Sequence, residues 1–163
     1  MSKFLTGTKI AILAANGFEQ SDFTQSQRAL LAAGATVKVI CPDQGLVNGW
    51  EGNSWGHHFA VDQTLGTALG VDFDMLVIPG GERSLNKLKT TAHTKRFIGS
   101  VMNAGKPIVM FNDAATLLDH CGLAEDAGNL FKAVTTNVEE HNAAVASMIE
   151  FFGGFVADVK QAA

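Results

Sequence analysis

The sequence predicts an α/β protein, a flavodoxin-like three-layer α/β/α sandwich around a mainly parallel sheet. Three observations carry this. Four short, nearly continuous apolar runs occur at residues 9–15, 37–41, 75–78 and 108–111; runs of that kind suit strands covered on both faces. Stretches of helical length lie between them, and alternation of strand and helix argues for parallel strands with helices on both sides. The chain of 163 residues is 47% hydrophobic and 17% charged, enough for one domain, spanning 1–163, with a sizeable core.

Taken in order, residues 9–15 form the first strand and lead straight into Asn16-Gly17. Residues 21–33 follow as a helix, closed by Ala33-Gly34, a helix C-terminus signal. Residues 37–41 are the second strand. Residues 43–62 break the rhythm: Asp43-Gln-Gly45, Asn48-Gly49 and Glu51-Gly-Asn53 are turn signals, and residues 55–61 suit an antiparallel excursion. Residues 75–78 are the third strand. Residues 91–104 form a helix closed by Ala104-Gly105, and residues 108–111 are the fourth strand. The last helix covers 138–152, with Val145, Met148, Ile149 and Phe152 on one stripe. From Gly153-Gly154 onward a weak strand or a frayed end is expected.

Composition narrows the function. The net charge of −4 and 12 scattered Lys and Arg leave no basic patch for nucleic acid or anionic membrane. No run approaches membrane-spanning length, and the N-terminal apolar stretch is too short for a secretory signal. A cytoplasmic protein is expected. The two cysteines, Cys41 and Cys121, read as free thiols rather than a disulfide framework.

The most specific stretch is Asp74-Met-Leu-Val-Ile-Pro-Gly-Gly81, followed after a helical segment by Lys106-Pro-Ile-Val-Met-Phe-Asn-Asp-Ala-Ala-Thr-Leu-Leu118. It reads as strand, Gly-Gly turn, helix, buried strand, then a tight turn into a helix. Such a turn presents a Ser or Cys in a nucleophile elbow; here it presents Asn112 and Asp113. With Asn16-Gly-Phe-Glu-Gln-Ser-Asp22, Leu31-Ala-Ala-Gly-Ala-Thr-Val-Lys-Val39 and Val61-Asp-Gln-Thr-Leu65, these segments resemble the ThiJ/PfpI superfamily, small α/β proteins related to the class I glutamine amidotransferase fold. The resemblance implies an elbow Cys hydrogen-bonded to an acid of the first loop. Counting back from Thr116-Leu-Leu118, the Cys position falls on Asn112, the position after it on Asp113, and a following Gly-Pro pair on Ala114-Ala115. The acid position falls on Asp22, with Glu19 as the preceding acid. The Gly-Gly turn that helps form an oxyanion pocket matches Gly80-Gly81. The resemblance further implies a homodimer or larger homo-oligomer, and peptidase, amidase or glyoxalase-like chemistry. Residues 128–136 resemble the family's final strand. Only about a dozen residues separate Leu118 from Phe131, so the family's longer segment is shortened here.

A Cys works at such an elbow because its thiolate is strongly nucleophilic near neutral pH. An Asn carboxamide is neither ionisable nor a useful nucleophile, though it both donates and accepts hydrogen bonds. Asp113 is a carboxylate one residue past the apex, turned from the attack position. Cys41 ends a different strand, and Cys121 lies a helical turn or two beyond the elbow. For Asp22 and Glu19 two readings stand: solvated acids favoured by a helix N-terminus, or pocket acids facing Asn112 with a raised pKa and a shared proton.

Adjacent residues of a strand point to opposite faces, so His57 and His58 cannot share an ion. No metal and no cofactor are expected. His93, His120 and His141 fall on helical segments, and consecutive helix residues such as Asp119-His120-Cys121 do not converge. Trp50 and Trp55 read as loop aromatics over a core edge or a subunit contact. A nucleotide site of the flavodoxin kind is opposed by residues 16–22, where one Gly and two acids stand where a Gly-rich phosphate cradle would be. The expected function is a non-catalytic or altered binding module, stress-related by resemblance. Its small-molecule or protein site would use Glu19, Asp22, Gly80, Gly81, Asn112 and Asp113. The alternative is a hydrolase, amidase or glyoxalase-like enzyme in which Asp22 or Asp113 activates water. A cysteine peptidase or cysteine-dependent glyoxalase is not expected.

Overall fold

The computed structural model describes residues 5–123, 129–133 and 138–162. Six strands form one parallel sheet: β1 (Lys9–Leu13), β3 (Thr36–Cys41), β6 (Gln63–Thr64), β7 (Met75–Ile78), β8 (Pro107–Phe111) and β9 (Asn129–Ala133). Their spatial order is β6-β3-β1-β7-β8-β9, and each neighbouring pair is parallel. The helices are α1 (Gln20–Ala32), α2 (Glu82–Thr90), α3 (Thr94–Asn103), α4 (Thr116–Cys121) and α5 (Val138–Ala162).

Strand side chains alternate between two apolar cores, as the two-residue period of a strand requires. Ala11, Leu13, Leu76, Ile78, Ile108 and Met110 pack with Leu85 and Leu88 of α2, Phe97 and Val101 of α3, and Leu117 and Leu118 of α4. Ile10, Ile12, Met75, Val77, Val109 and Phe111 pack on the other face with Phe23 and Leu30 of α1 and Met148 and Phe152 of α5. The fold is therefore the three-layer α/β/α sandwich expected. The apolar runs read as strands because both faces are covered.

The excursion at 43–62 is a hairpin, β4 (Leu46–Glu51) antiparallel to β5 (Ser54–Ala60), with an irregularity between Asn48 and Trp50. A short strand, β2 (Phe18–Glu19), joins it by pairing parallel to β4. Trp50 and Trp55 are thus strand residues paired across the hairpin, not loop aromatics, with rings edge to face at 5.3 Å. Gln20, nearly buried at the start of α1, ties the hairpin down: its Oε1 accepts from His57 N at 2.7 Å and its Nε2 donates to Glu51 at 3.2 Å.

Two expectations need correction. The helix expected at 91–104 begins later, at Thr94, because the Thr94 hydroxyl donates to Leu88 O at 2.7 Å and holds a turn between α2 and α3. The segment from Gly153-Gly154 onward is neither strand nor frayed end: α5 runs through both glycines to Ala162. Glycine is weakly disfavoured in a helix, but Phe151 meets Phe131 at 5.5 Å and Phe155 at 5.2 Å, and Phe155 and Val156 also pack on the core. Aromatic contacts on both sides of the pair outweigh a local penalty of about 1 kcal/mol per glycine. The expected final strand at 128–136 is β9; residues 128 and 134–136 lie outside the described residues, as does 124–128 of the short connection after Leu118.

Candidate functional site

The C-terminal ends of β1, β7 and β8 converge, the usual place for function in an open parallel sheet. Buried β8 stops at Phe111, and Asn112 takes φ 52°, the one non-glycine with positive φ among the described residues. That region is uncommon for a side-chain-bearing residue and least unfavourable for Asn, whose short amide bonds locally. Residues Asn112–Ala115 then form a 3-10 turn leading into α4. The Thr116 hydroxyl donates to Asp113 O at 2.7 Å and fixes that turn. Asn112 and Asp113 are both exposed at its apex.

Across from the elbow, β7 ends in Pro79 and the Gly80-Gly81 turn that starts α2. Gly81 sits at φ 118°, and a Cβ there would lie 2.6 Å from Gly17 O and 2.8 Å from Glu19 N. Only glycine fits, because the β2 backbone passes directly over it. A Cβ on Gly80 would lie 2.8 Å from Asp113 Oδ1 and 2.9 Å from Phe111 O. Glu19 N donates to Gly80 O at 2.8 Å. Thus β2, the Gly-Gly turn and the elbow are packed backbone to backbone.

Asp22, in the first turn of α1, is fully buried. The solvated-acid reading does not hold for it. Its Oδ2 accepts from Gly80 N at 3.1 Å and from Asn112 Nδ2 at 3.4 Å. Its Oδ1 lies 3.0 Å from Nε2 of His141, a buried residue of α5 whose ring stacks on Phe111. His141 Nδ1 is buried without a hydrogen-bond partner among the described residues. A buried carboxylate survives only with such partners; here three elements supply them.

Glu19 is half-buried, and its carboxyl is pushed above the ordinary range. Burial is the main cause, followed by the charges of Asp22 and Asp113, with His141 opposing them. Asp113 turns away from the apex: its Oδ1 accepts from Gly81 N at 3.1 Å. Cys41 ends β3 and Cys121 ends α4; both are buried free thiols, pushed up chiefly by burial. The chain's two cysteines are thus neither at the elbow nor predisposed to ionise.

The six residues singled out in the sequence, Glu19, Asp22, Gly80, Gly81, Asn112 and Asp113, come together. His141 was missed. Its signal lay in the spacing 141, 145, 148, 152, which puts it on the apolar stripe of α5. Arg83 was missed as well; its guanidinium lies 3.9 Å from the Trp50 ring centroid, beside the Gly-Gly turn. His57 and His58 are exposed on β5, and His120 bonds Lys89 O at 3.0 Å. Among the described residues no group of three His, Cys, Asp or Glu side chains is arranged to hold a metal ion. Nor is any described helix long and apolar enough to cross a membrane.

Comparison with known proteins agrees with the fold. The chain is 27% identical over 138 residues to catalase HPII of Pseudomonas aeruginosa, covering 85% of this chain and 19% of the catalase. It is 32% identical over 103 residues to general stress protein 18 of Bacillus subtilis, covering 63% and 58% respectively. It is 31% identical over 101 residues to protein/nucleic acid deglycase 2 of Escherichia coli, covering 61% and 56%. The chain therefore spans about a fifth of the catalase and under two thirds of the other two. Among solved structures, Drosophila melanogaster DJ-1beta superposes with a TM-score of 0.74 at 19% identity, covering 99% of this chain and 97% of that one. A two-domain protein of Anabaena variabilis with DJ-1/ThiJ/PfpI-like and ferritin-like domains superposes with a TM-score of 0.77 at 21% identity, covering 90% and 48%. The model of the DJ-1/PfpI family matches residues 8–151, a span that takes in Asp22, the Gly80-Gly81 turn, the elbow and His141, so the chain belongs to the DJ-1/PfpI family.

Proposed function

We propose that this chain is a binding module of the DJ-1/PfpI family, with Asn112 where the family resemblance places the nucleophilic Cys. One observation carries the reading. The residue at the positive-φ apex is a neutral carboxamide hydrogen-bonded to Asp22, and a carboxamide has no ionisation that makes it a nucleophile. The pocket of Glu19, Asp22, Gly80, Gly81, Asn112 and Asp113 would hold a small molecule or a protein group without covalent chemistry. The likeness to general stress protein 18 supports a stress-related role. Cytoplasmic location and self-association as a homodimer or larger ring belong to the same proposal.

A second reading is an enzyme in which Asp22 or Asp113 activates water. The raised carboxyl of Glu19 favours it, since an acid shifted toward neutral pH is the raw material of proton transfer. One experiment tests both: turnover of methylglyoxal and of peptide and amide substrates by wild type and Asn112→Cys, with intact-mass analysis after peroxide. The expected result is no turnover by wild type. The variant gains oxidation at residue 112 but little turnover, because Asp113 still occupies the neighbouring position. Turnover by wild type that survives thiol blocking and is lost in Asp22→Asn or Asp113→Asn would replace the first reading with the second.

A further inference from the structure

We propose that Asp113 is an internal occupant of the Gly81 amide and so fixes the pocket's ligand polarity, excluding carboxylates in favour of neutral or cationic small molecules. The inference rests on the reading of the elbow as a ligand pocket. Gly81 N–H stands at the N-terminus of α2, where backbone donors and the helix dipole favour an anion. No side chain of the Gly81 cap itself serves that end. The anion that does is Asp113, whose Oδ1 lies 3.1 Å from Gly81 N.

The carboxylate is exposed to solvent but held close against the Gly-Gly turn. Its Oδ1 is so close to Gly80 that a Cβ there would stand 2.8 Å away. Its own backbone is fixed by the Thr116 hydroxyl bond to Asp113 O. A ligand carboxylate or carbonyl oxygen approaching Gly81 N would have to displace it. A ligand carboxylate would also meet the half-buried Glu19, whose carboxyl burial and the charges of Asp22 and Asp113 already push up. A charge-assisted bond made within the chain carries no association penalty, so it wins against a weak external anion. Asp113 is thereby a specificity-determining residue: it turns an anion-accepting amide into part of an acceptor-lined wall.

The test is acetate titration followed through the backbone amide of Gly81 in ¹H–¹⁵N spectra of wild type, Asp113→Ala and Asp113→Asn. Asp113 is exposed, so both variants are expected to fold, and their spectra report it directly. The expected order of acetate affinity at Gly81 is Asp113→Ala, then Asp113→Asn, then wild type, with at least about tenfold between the extremes. The asparagine variant is intermediate because its side-chain oxygen still accepts from Gly81 N without the charge. Acetate shifting Gly81 equally in wild type and Asp113→Ala overturns the inference, as does no saturable shift in Asp113→Ala. Equal affinity of the Asn and Ala variants overturns occupancy by attributing the effect to charge alone. These outcomes are separate from the proposed function, which falls on turnover by wild type whatever acetate does.

Discussion

Asp22 is the residue on which the site's integrity should depend most. Replacing it by Ala leaves Gly80 N–H and His141 Nε2 buried without the partners they have at 3.1 and 3.0 Å. Each buried polar group left unsatisfied costs about 1–3 kcal/mol, so the variant should lose about 2–6 kcal/mol. Asn112 is exposed and bonded at 3.4 Å, so water replaces that contact and it adds little. Asp22→Asn is subtler. Its oxygen can still accept from Gly80 N, but its NH₂ must then donate to His141 Nε2. That forces the imidazole proton onto Nδ1, which is buried without a partner among the described residues. The loss should be about 1–2 kcal/mol, with a change of tautomer visible in the His141 ¹⁵N shifts. Urea unfolding analysed by linear extrapolation gives the energies, and an unchanged m-value certifies the comparison. In a cycle with His141→Leu, the double variant should be at least about 1 kcal/mol less destabilised than the sum of the singles. A loss below about 1 kcal/mol for Asp22→Ala, or strict additivity, would refute the claim that Asp22 and His141 form one buried unit.

Glu19→Gln should be more stable than wild type near neutral pH. An acid with a raised folded pKa favours folding below its unfolded value of 4.5 and loses that contribution as pH rises through the raised value. The advantage of the variant should therefore shrink as pH falls toward 4.5, and melting temperatures at two pH values decide it; a constant difference would contradict the shift. Gly81→Ala should cost about 3 kcal/mol or more, combining strain with the clash on β2, whereas Gly45→Ala, at φ 100° with open space around it, should cost only about 1 kcal/mol. Equal losses in denaturation midpoints would show that the approach of β2 over Gly81 is looser than described. Cys41 and Cys121 should react slowly with a mild disulfide reagent in the native state and rapidly in urea, because both are buried and their thiols are pushed up. Fast native labelling of either would mean a thiol is more open than its burial implies.

The sheet was legible because covered strands leave an uninterrupted apolar run, and 75–78 matches β7 residue for residue. The two-residue strands β2 and β6 left no such trace; pairing alone creates them. The start of α3 was misplaced because a hydroxyl bond from Thr94 to Leu88 O, not a propensity, sets it. The end of α5 was missed because Gly153 and Gly154 argue locally against a helix, while Phe151 meets Phe131 of β9 and Phe155 packs on the core. At the site, Asn112 and Gly80-Gly81 were readable through the family resemblance, which places the elbow and the Gly-Gly turn at those positions. The turn of Asp113 from the attack position was expected too, but its bond to Gly81 N was not, because the direction of a side chain at an exposed turn leaves no trace in the sequence. His141 was invisible as a partner because it sits 119 residues from Asp22.

That separation has a kinetic consequence. During synthesis α1, and Asp22 with it, emerges well before the histidine that completes its burial, which comes from α5, 119 residues later. The sheet's first strands and the β4–β5 hairpin can assemble beforehand, but the acid beneath the elbow stays hydrated until α5 docks. Closure of so distant a contact is entropically slow. The surroundings of Asp22 beneath the elbow are therefore completed only once α5 has been made. Any nascent chain released before residue 141 would carry the elbow sequence without its floor.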